Sequence, residues 1–358
     1  MSLAKSATMP MVTVIIPCSN EARFIGKCLD SVIANNYEEG RLEILVVDGG
    51  SEDGTRRILK NYTKEYSYIK MLDNPERITP SALNIGVRNA TGDFIVRLDA
   101  HTSCANDYLR ECIHYLNEYG ADNVGGILAT VPTKDTLIGK SIALALSNRF
   151  GVGNSYFRTG CSAEPRWVDT VPFGCFRKEV FDKVGFFDER LARSQDMEFN
   201  IRLRKAGGGI LLVPSIVCNY YARSDLGEFF RYSFSNGAWA ILPFKHVKKA
   251  VAWRHLIPLV FVSALLISIC LSIILDPFVF ILAAILTLYF LTTLFFSMKI
   301  ALSEKEYRYL AILPIVFALL HVGYGLGSLS AIPRVAFSRE FWQNRFGRSM
   351  QTCSSIAQ

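Results

Sequence analysis

Between residues 256 and 332 this chain of 358 residues carries almost no charge, whereas residues 1–250 have an ordinary globular composition. Paired cysteines are missing throughout. Nine cysteines (Cys18, Cys28, Cys104, Cys112, Cys161, Cys175, Cys218, Cys270, Cys353) form no CxxC and no regular spacing. That excludes a zinc ribbon and a disulfide framework, and it fits reduced thiols in a cytoplasmic domain. No GxxxxGK[ST] and no GxGxxG occurs, so neither a P-loop nor a dinucleotide fold is indicated. Met1 to Met11 lacks an apolar core region, so no cleavable signal peptide is expected, and residues 1–10 are expected to be disordered. There is no internal repeat and no low-complexity tract.

What is present alternates between two periods. Val12–Pro17, Leu42–Val47, Ile69–Leu72 and Asp93–Leu98 read as strands, with helices predicted from about Phe24 to Ala34, from near Gly54, and from Pro80 to Asn89. This βαβ order predicts an α/β domain with a parallel sheet and right-handed crossovers. Helices are further predicted over Asp107–Tyr119, Lys178–Val184 and Asp196–Ala206, with a last strand at Ile210–Val213. The stretch containing Gly151, Gly153 and Gly160 reads as a mobile loop.

After the basic residues Lys245, Lys248, Lys249 and Arg254 come two uncharged runs, Leu256–Leu275 and Phe278–Ser297. Twenty helical residues span about 30 Å, the thickness of a bilayer's hydrocarbon core, so the two predict a transmembrane hairpin. The basic flank places the preceding domain on the cytoplasmic side. Leu310–Ile332 is a third apolar run, interrupted by Pro314, His321, Gly323, Gly325 and Gly327. A third full crossing would export a tail carrying Arg334, Arg339, Arg345 and Arg348, against the positive-inside rule, so this segment reads either as a crossing or as re-entrant. His321 could contact a lipid phosphate or be a satisfied membrane histidine, and Trp239 and Trp342 read as interfacial anchors. His114 reads as structural.

The polar residues gather where strands end. Pro17, Asn20 and Glu21 follow the first strand, Asp48 with Gly49-Gly50-Ser51 the second, and Asp99 with His101 the fourth. Ligands bind outside the carboxyl ends of strands in open α/β sheets. An Asp and a His one residue apart can hold a divalent cation, and the cation a diphosphate. Downstream, Asp196 is a carboxylate able to deprotonate a hydroxyl, or simply a residue of a first helical turn.

Four blocks carry a family resemblance: Val-Ile-Ile-Pro-x-x-Asn-Glu (14–21), Val-Val-Asp-Gly-Gly-Ser-x-Asp-Gly-Thr (46–55), Arg-Leu-Asp-Ala-His (97–101) and Ser-Gln-Asp-Met-Glu-Phe (194–199). Together they resemble glycosyltransferase family 2 over about residues 11–210. Asp99-Ala100-His101-Thr102, Gly120–Gly126 and His321-x-x-Tyr324-Gly325-x-Gly327-Ser328 look like its succinoglycan-biosynthesis type of membrane-anchored glucosyltransferase. The resemblance implies a GT-A fold (a Rossmann-like, mostly parallel sheet) followed by a helical membrane module. It implies Mn2+ or Mg2+ and inverting transfer from a nucleotide sugar, with a UDP-sugar expected. Asp48 would then hold the nucleobase. Pro17, Asn20, Glu21, Gly50 and Asp99 would line the donor site. Asp99 and His101 would meet the metal, His101 standing where many relatives have Asp. Asp196 would be the catalytic base, preceded by Gln195 where relatives have Glu. Phe173 and Gly174 resemble the acceptor floor. Glu228-Phe229-Phe230-Arg231-Tyr232 has the spacing of the family's Gln-x-x-Arg-Trp motif with both ends changed, so Arg231 would meet the donor diphosphate or, alternatively, lie at lipid headgroups.

The resulting expectation is a multi-pass protein of the cell membrane. It has a catalytic domain over 11–225, an interfacial linker over 226–255, a membrane module over 256–332 and a basic tail over 333–358. It moves a hexose such as glucose to a polyprenyl-diphosphate-linked saccharide in polysaccharide or glycoconjugate biosynthesis. No nucleic-acid partner is expected. The alternatives are a polyprenyl-phosphate sugar transferase, in which the phosphate attacks without a base, and a catalytically silent scaffold of a glycan-assembly complex.

Overall fold

The structure, a computed structural model, describes residues 9–160, 163–247 and 253–343. The chain divides into two compact units: Met1–Ala129 with Gly160–Tyr220, and Thr130–Thr159 with Tyr221–Gln358. In chain order its elements begin β1 (Val12–Cys18), α1 (Ile25–Ile33), β2 (Leu42–Asp48), α2 (Thr55–Glu65), β3 (Ile69–Asp73), α3 (Thr79–Asn89), β4 (Phe94–Arg97), β5 (Thr102–Cys104), α4 (Tyr108–Glu118) and β6 (Asn123–Pro132). There follow α5 (Leu137–Leu146), α6 (Arg149–Val152), α7 (Tyr156–Thr159), β7 (Arg166–Trp167), β8 (Cys175–Arg177), α8 (Glu179–Val184), α9 (Gln195–Lys205) and β9 (Ile210–Ala222). The last helices are α10 (Leu226–Ile241), α11 (Ile257–Ser272), α12 (Pro277–Glu304) and α13 (Tyr309–Ala336).

The first unit is built on a sheet of order β3-β2-β1-β4-β8-β6-β9-β5, with β7 on β9. Its first four strands are parallel, as the βαβ order predicts. β4–β8, β8–β6 and β5–β9 are antiparallel, so the sheet is mixed beyond β4. Every residue of β2 is buried, as expected for a parallel strand covered on both faces. α1 supplies part of that cover through Ile25, Cys28, Leu29 and Val32, spaced i, i+3, i+4, i+7 and fully buried. α3 approaches β1 so closely that a Cβ on Gly86 would overlap the Ile15 side chain. Glu43 is buried in β2 and accepts four hydrogen bonds: from Lys70 Nζ at 2.9 Å, Thr13 Oγ1 at 2.8 Å, and the Thr91 backbone N–H and hydroxyl at 2.9 Å each.

In the second unit the region expected as a mobile loop is largely helical. α5 was not anticipated, and α6 and α7 occupy the glycine-containing stretch. Glycine there serves a close approach, since a Cβ on Gly151 would overlap the Ala145 carbonyl. The strand expected at Ile210–Val213 continues through Ala222. Asp225 caps α10, its Oδ1 accepting from the Glu228 backbone N–H at 2.9 Å. Three helical segments are long and apolar enough to cross a membrane: Arg254–Ser272, Pro277–Glu304 and Tyr309–Ala336. The first two are 11% and 6% buried over their apolar windows, the third 39%. α13 is one continuous helix through Pro314 and its glycines. His321 is satisfied on both sides: Nε2 lies 2.9 Å from the Phe150 carbonyl, which can only accept, and Nδ1 lies 3.0 Å from the Tyr289 hydroxyl. Trp342 is exposed, its Nε1 donating to the Ala336 carbonyl at 2.7 Å. His114 pairs with Glu118 at 3.0 Å on the surface of α4. Residues 1–8, the Lys248–Lys249 part of the linker and Arg345 and Arg348 of the tail lie outside the described residues.

The Glu43 cluster sets a testable pH dependence. Burial opposes its charge, but the donors from Thr91, Lys70 and Thr13 outweigh it and hold the carboxyl below its ordinary value of 4.5. Its contribution is therefore full above pH 4.5 and is lost as pH falls through the lower folded value. Glu43→Gln should cost about 2 kcal/mol at pH 7, and thermal unfolding of the detergent-solubilised variant and parent should converge in acid.

Candidate active site

β1 stays paired with β4 only as far as Ile15, opposite Arg97, while its pairing with β2 continues to Cys18. Pro17, which has no N–H to donate, falls where β4 has already left. The order β3-β2-β1-β4 reverses at this point, creating the crevice in which open α/β sheets bind ligands.

The loops after β1 and β2 are stitched together along one wall. The Asn20 N–H donates to Ser51 Oγ at 2.8 Å, Glu52 N–H to Asn20 Oδ1 at 2.9 Å, Glu21 N–H to Thr55 Oγ1 at 2.9 Å, and Ala22 N–H to Asp53 Oδ2 at 3.0 Å. Asp48 lies beneath. Its carboxylate is 0% exposed and accepts from Gly50 N–H and Ser51 N–H at 3.1 Å each, Ser51 Oγ at 2.5 Å and Arg56 Nη1 at 2.9 Å. With these contacts Asp48 closes the turn after β2. Gly50 has φ +75° and carries on its open side the guanidinium of Arg77, whose Nη2 would sit 3.3 Å from a Cβ at Gly50. Arg77 was not singled out in the sequence.

Asp99 and His101 follow β4, both half-buried at the crevice. His101 Nδ1 lies 3.1 Å from Glu21 Oε1, and Tyr220 packs edge-on against the ring with centroids 5.3 Å apart. A carboxylate on one ring nitrogen fixes the tautomer and directs the other nitrogen to ligation. Among the described residues no group of three or more His, Cys, Asp and Glu could hold a metal. An ion held by Asp99 and His101 would keep most of its coordination for water and phosphate oxygens, as Mg2+ and Mn2+ do at nucleotide sites.

Asp196 stands in the first turn of α9, where the helix dipole favours a carboxylate. Its side chain is 41% exposed, with Oδ1 accepting from Met197 N–H at 2.8 Å. Gln195 beside it is buried, and Glu198 is consumed by a two-pronged pair with Arg202 at 2.7 and 2.9 Å. Arg97 brings the two carboxylates together. Its Nη2 is 3.0 Å from Asp99 Oδ1 and its Nη1 is 3.7 Å from Asp196 Oδ2. Burial alone would lower the guanidinium's pKa, but Asp99 and Asp196 outweigh that and raise it. The sequence pointed to Arg97 only as one letter of a motif, although an arginine in a buried apolar strand is itself a signal. Phe173, buried with φ +46°, receives the Tyr108 hydroxyl at 2.9 Å on its carbonyl, and the Gly174 carbonyl accepts from Arg97 N–H at 3.1 Å. Arg231 belongs to the second unit, exposed on α10.

Residues 13–185 match the model of Glycosyl transferase family 2. A Methanococcus voltae protein, dolichyl N-acetyl-alpha-D-glucosaminyl phosphate 3-beta-D-2,3-diacetamido-2,3-dideoxy-beta-D-glucuronosyltransferase, is 28% identical over 327 residues, covering 88% of this chain and 96% of its own length. Succinoglycan biosynthesis protein ExoA of Rhizobium meliloti (strain 1021) is 31% identical over 248 residues, 69% of this chain and 74% of its own. Among solved structures, the mannosyltransferase PcManGT from Pyrobaculum calidifontis, in complex with GDP-Man and Mn2+, superposes with a TM-score of 0.57 at 20% identity, over 90% of this chain and 88% of its own. That likeness establishes the GT-A fold.

If Glu21 orients His101 toward an ion, Glu21→Gln should weaken the Mn2+–nucleoside diphosphate complex by about 10-fold. Calorimetric titration without acceptor measures it, and an unchanged dissociation constant would remove the ion from His101.

Proposed function

The chain belongs to Glycosyl transferase family 2, and on that premise we propose that it moves one hexose from a nucleotide sugar to a lipid-linked saccharide, with inversion at the anomeric carbon. The observation that carries this reading is the convergence of Asp99 and Asp196 on a single guanidinium beside the β1/β4 crevice. One carboxylate belongs to the donor side and the other to the acceptor side.

In this reaction the acceptor hydroxyl oxygen attacks the anomeric carbon, the bond from that carbon to the diphosphate oxygen breaks, and the diphosphate leaves with the electron pair. Asp196 takes the hydroxyl proton; its half-exposed carboxylate needs only hydrogen-bond reach. Asp99 and His101 would hold the ion, which when bound neutralises charge on the departing diphosphate. Asp48 would hold the nucleobase at the Gly49–Gly50 turn, beside which the Arg77 guanidinium stands, and a UDP-sugar is the donor expected.

A lipid-linked acceptor is supported by the long apolar helices, α11 and α12 being largely uncovered within the second unit. The Methanococcus relative's name also describes a dolichyl-phosphate-linked acceptor. The basic residues before α11 support a cytoplasmic catalytic unit in a multi-pass protein. Asp196→Asn should lower kcat by 10²–10⁴-fold, to order of magnitude, while leaving nucleotide affinity within a few-fold. The assay pairs a panel of nucleotide sugars with extracted lipid acceptors and follows product by mass spectrometry. Full activity of the variant would favour attack by a phosphate that needs no base.

A further inference from the structure

Arg97 is the one charged residue of β4, in a strand otherwise made of Phe94, Ile95 and Val96. Its side chain is only 12% exposed. Placing a guanidinium there is costly unless its charge is matched and its donors are used. The charge is matched twice, by Asp99 and Asp196, but the donors are not all used. Nε is buried and has no hydrogen-bond partner among the described residues. The backbone is held as well, through the bond from Arg97 N–H to the Gly174 carbonyl, so the guanidinium is delivered to a fixed place. With Met197 N–H on Oδ1 and Arg97 on the Oδ2 side, both oxygens of Asp196 are oriented.

We propose that Arg97 is a positioning residue that couples the two halves of the site: it aims Asp196 at the acceptor and shares Asp99 with the metal–diphosphate. This rests on the reading of Asp196 as base and Asp99 as metal ligand. The two contacts have opposite consequences. A guanidinium 3.0 Å from Asp99 competes with a cation for that carboxylate, so its removal strengthens metal binding. The same guanidinium steadies Asp196, so its removal slows transfer. A role confined to folding would weaken both.

The test uses full-length protein in detergent with Arg97→Met, which keeps the side chain's bulk, and Arg97→Lys, which keeps the charge without the fork. Mn2+ affinity is measured by electron paramagnetic resonance without donor or acceptor, and kcat with saturating lipid-linked acceptor. The expected result for Arg97→Met is Mn2+ affinity about 3- to 10-fold tighter and kcat about 10- to 100-fold lower, with Arg97→Lys recovering part of the kcat. In an Asp196→Asn background Arg97→Met should lower kcat no further, because its effect runs through the carboxylate already removed. Unchanged or weaker Mn2+ affinity, or fully additive losses in the double variant, overturns the proposal. Loss of activity in Asp196→Asn with normal kcat in Arg97→Met overturns it while leaving the base assignment standing. Normal kcat in Asp196→Asn overturns the base assignment first.

Discussion

The site exists because β4 leaves β1 three residues before β1 ends. Up to the Ile15–Arg97 pair the two strands are joined, and beyond it β1 is paired on the β2 side alone. Every candidate group depends on that parting. Asp99 and His101 are the first residues β4 throws off, Glu21 is what β1 throws off, and Arg97 is the last residue before the split. The surrounding loops are held in costly conformations. Five non-glycine residues have positive φ among the described residues, and four of them flank this region in sequence or contact: Asn20, Arg77, Phe173 and Ser194. Such residues persist only where the surroundings over-determine them, and they concentrate at ligand clamps. Ser194, at φ +62°, immediately precedes the turn that presents Asp196.

The sheet contains three buried or nearly buried ionised groups whose surroundings differ in one respect. Glu43 and Asp48 each accept four hydrogen bonds, with both carboxylate oxygens engaged by protein donors. Such networks are finished, and their work is to pin strands and turns. Arg97 is not finished: a buried Nε lacks a partner, and one of its two carboxylates is 41% exposed. A buried polar group left incomplete in an otherwise satisfied sheet costs stability, and a ligand able to complete it recovers that cost. Completeness, and not burial, thus distinguishes Arg97 from Glu43 and Asp48.

That distinction also explains what could be read from the residues beforehand. Strands β1 to β4 and helices α1 to α3 were legible because a doubly covered parallel strand is a plain apolar run and its helices carry an i, i+3, i+4 stripe. The strand-end positions of Asp99, His101 and Asp48 were legible for the same reason. Whether a carboxylate turns inward was not, because Asp48 is set by Ser51 and Arg56, and nothing in a motif says where those donors point. β9 was read too short because a strand that alternates partly buried and buried residues, with Pro214 within it, resembles a strand followed by a loop. The stretch containing Gly151, Gly153 and Gly160 reads as a loop from its glycines alone. Gly151 instead admits the Ala145 carbonyl.

Glycine serves close approach on α13 as well. The helix is continuous through its glycines, Ser328 and His321, and each of these residues meets another helix of its unit. A Cβ on Gly327 would overlap the Phe234 carbonyl, one on Gly325 the Pro258 carbonyl, and a Cβ on the facing Gly237 of α10 the Tyr324 carbonyl. Ser328 Oγ donates to the Gly237 carbonyl at 2.9 Å, and His321 is satisfied by Phe150 and Tyr289. Where lipid offers no hydrophobic drive between helices, small residues gain contact by letting backbones approach. The polar and small positions of α13 are therefore its packing face, which accounts for its greater burial beside α11 and α12. The irregular composition of the third segment marks a helix built to hold its neighbours.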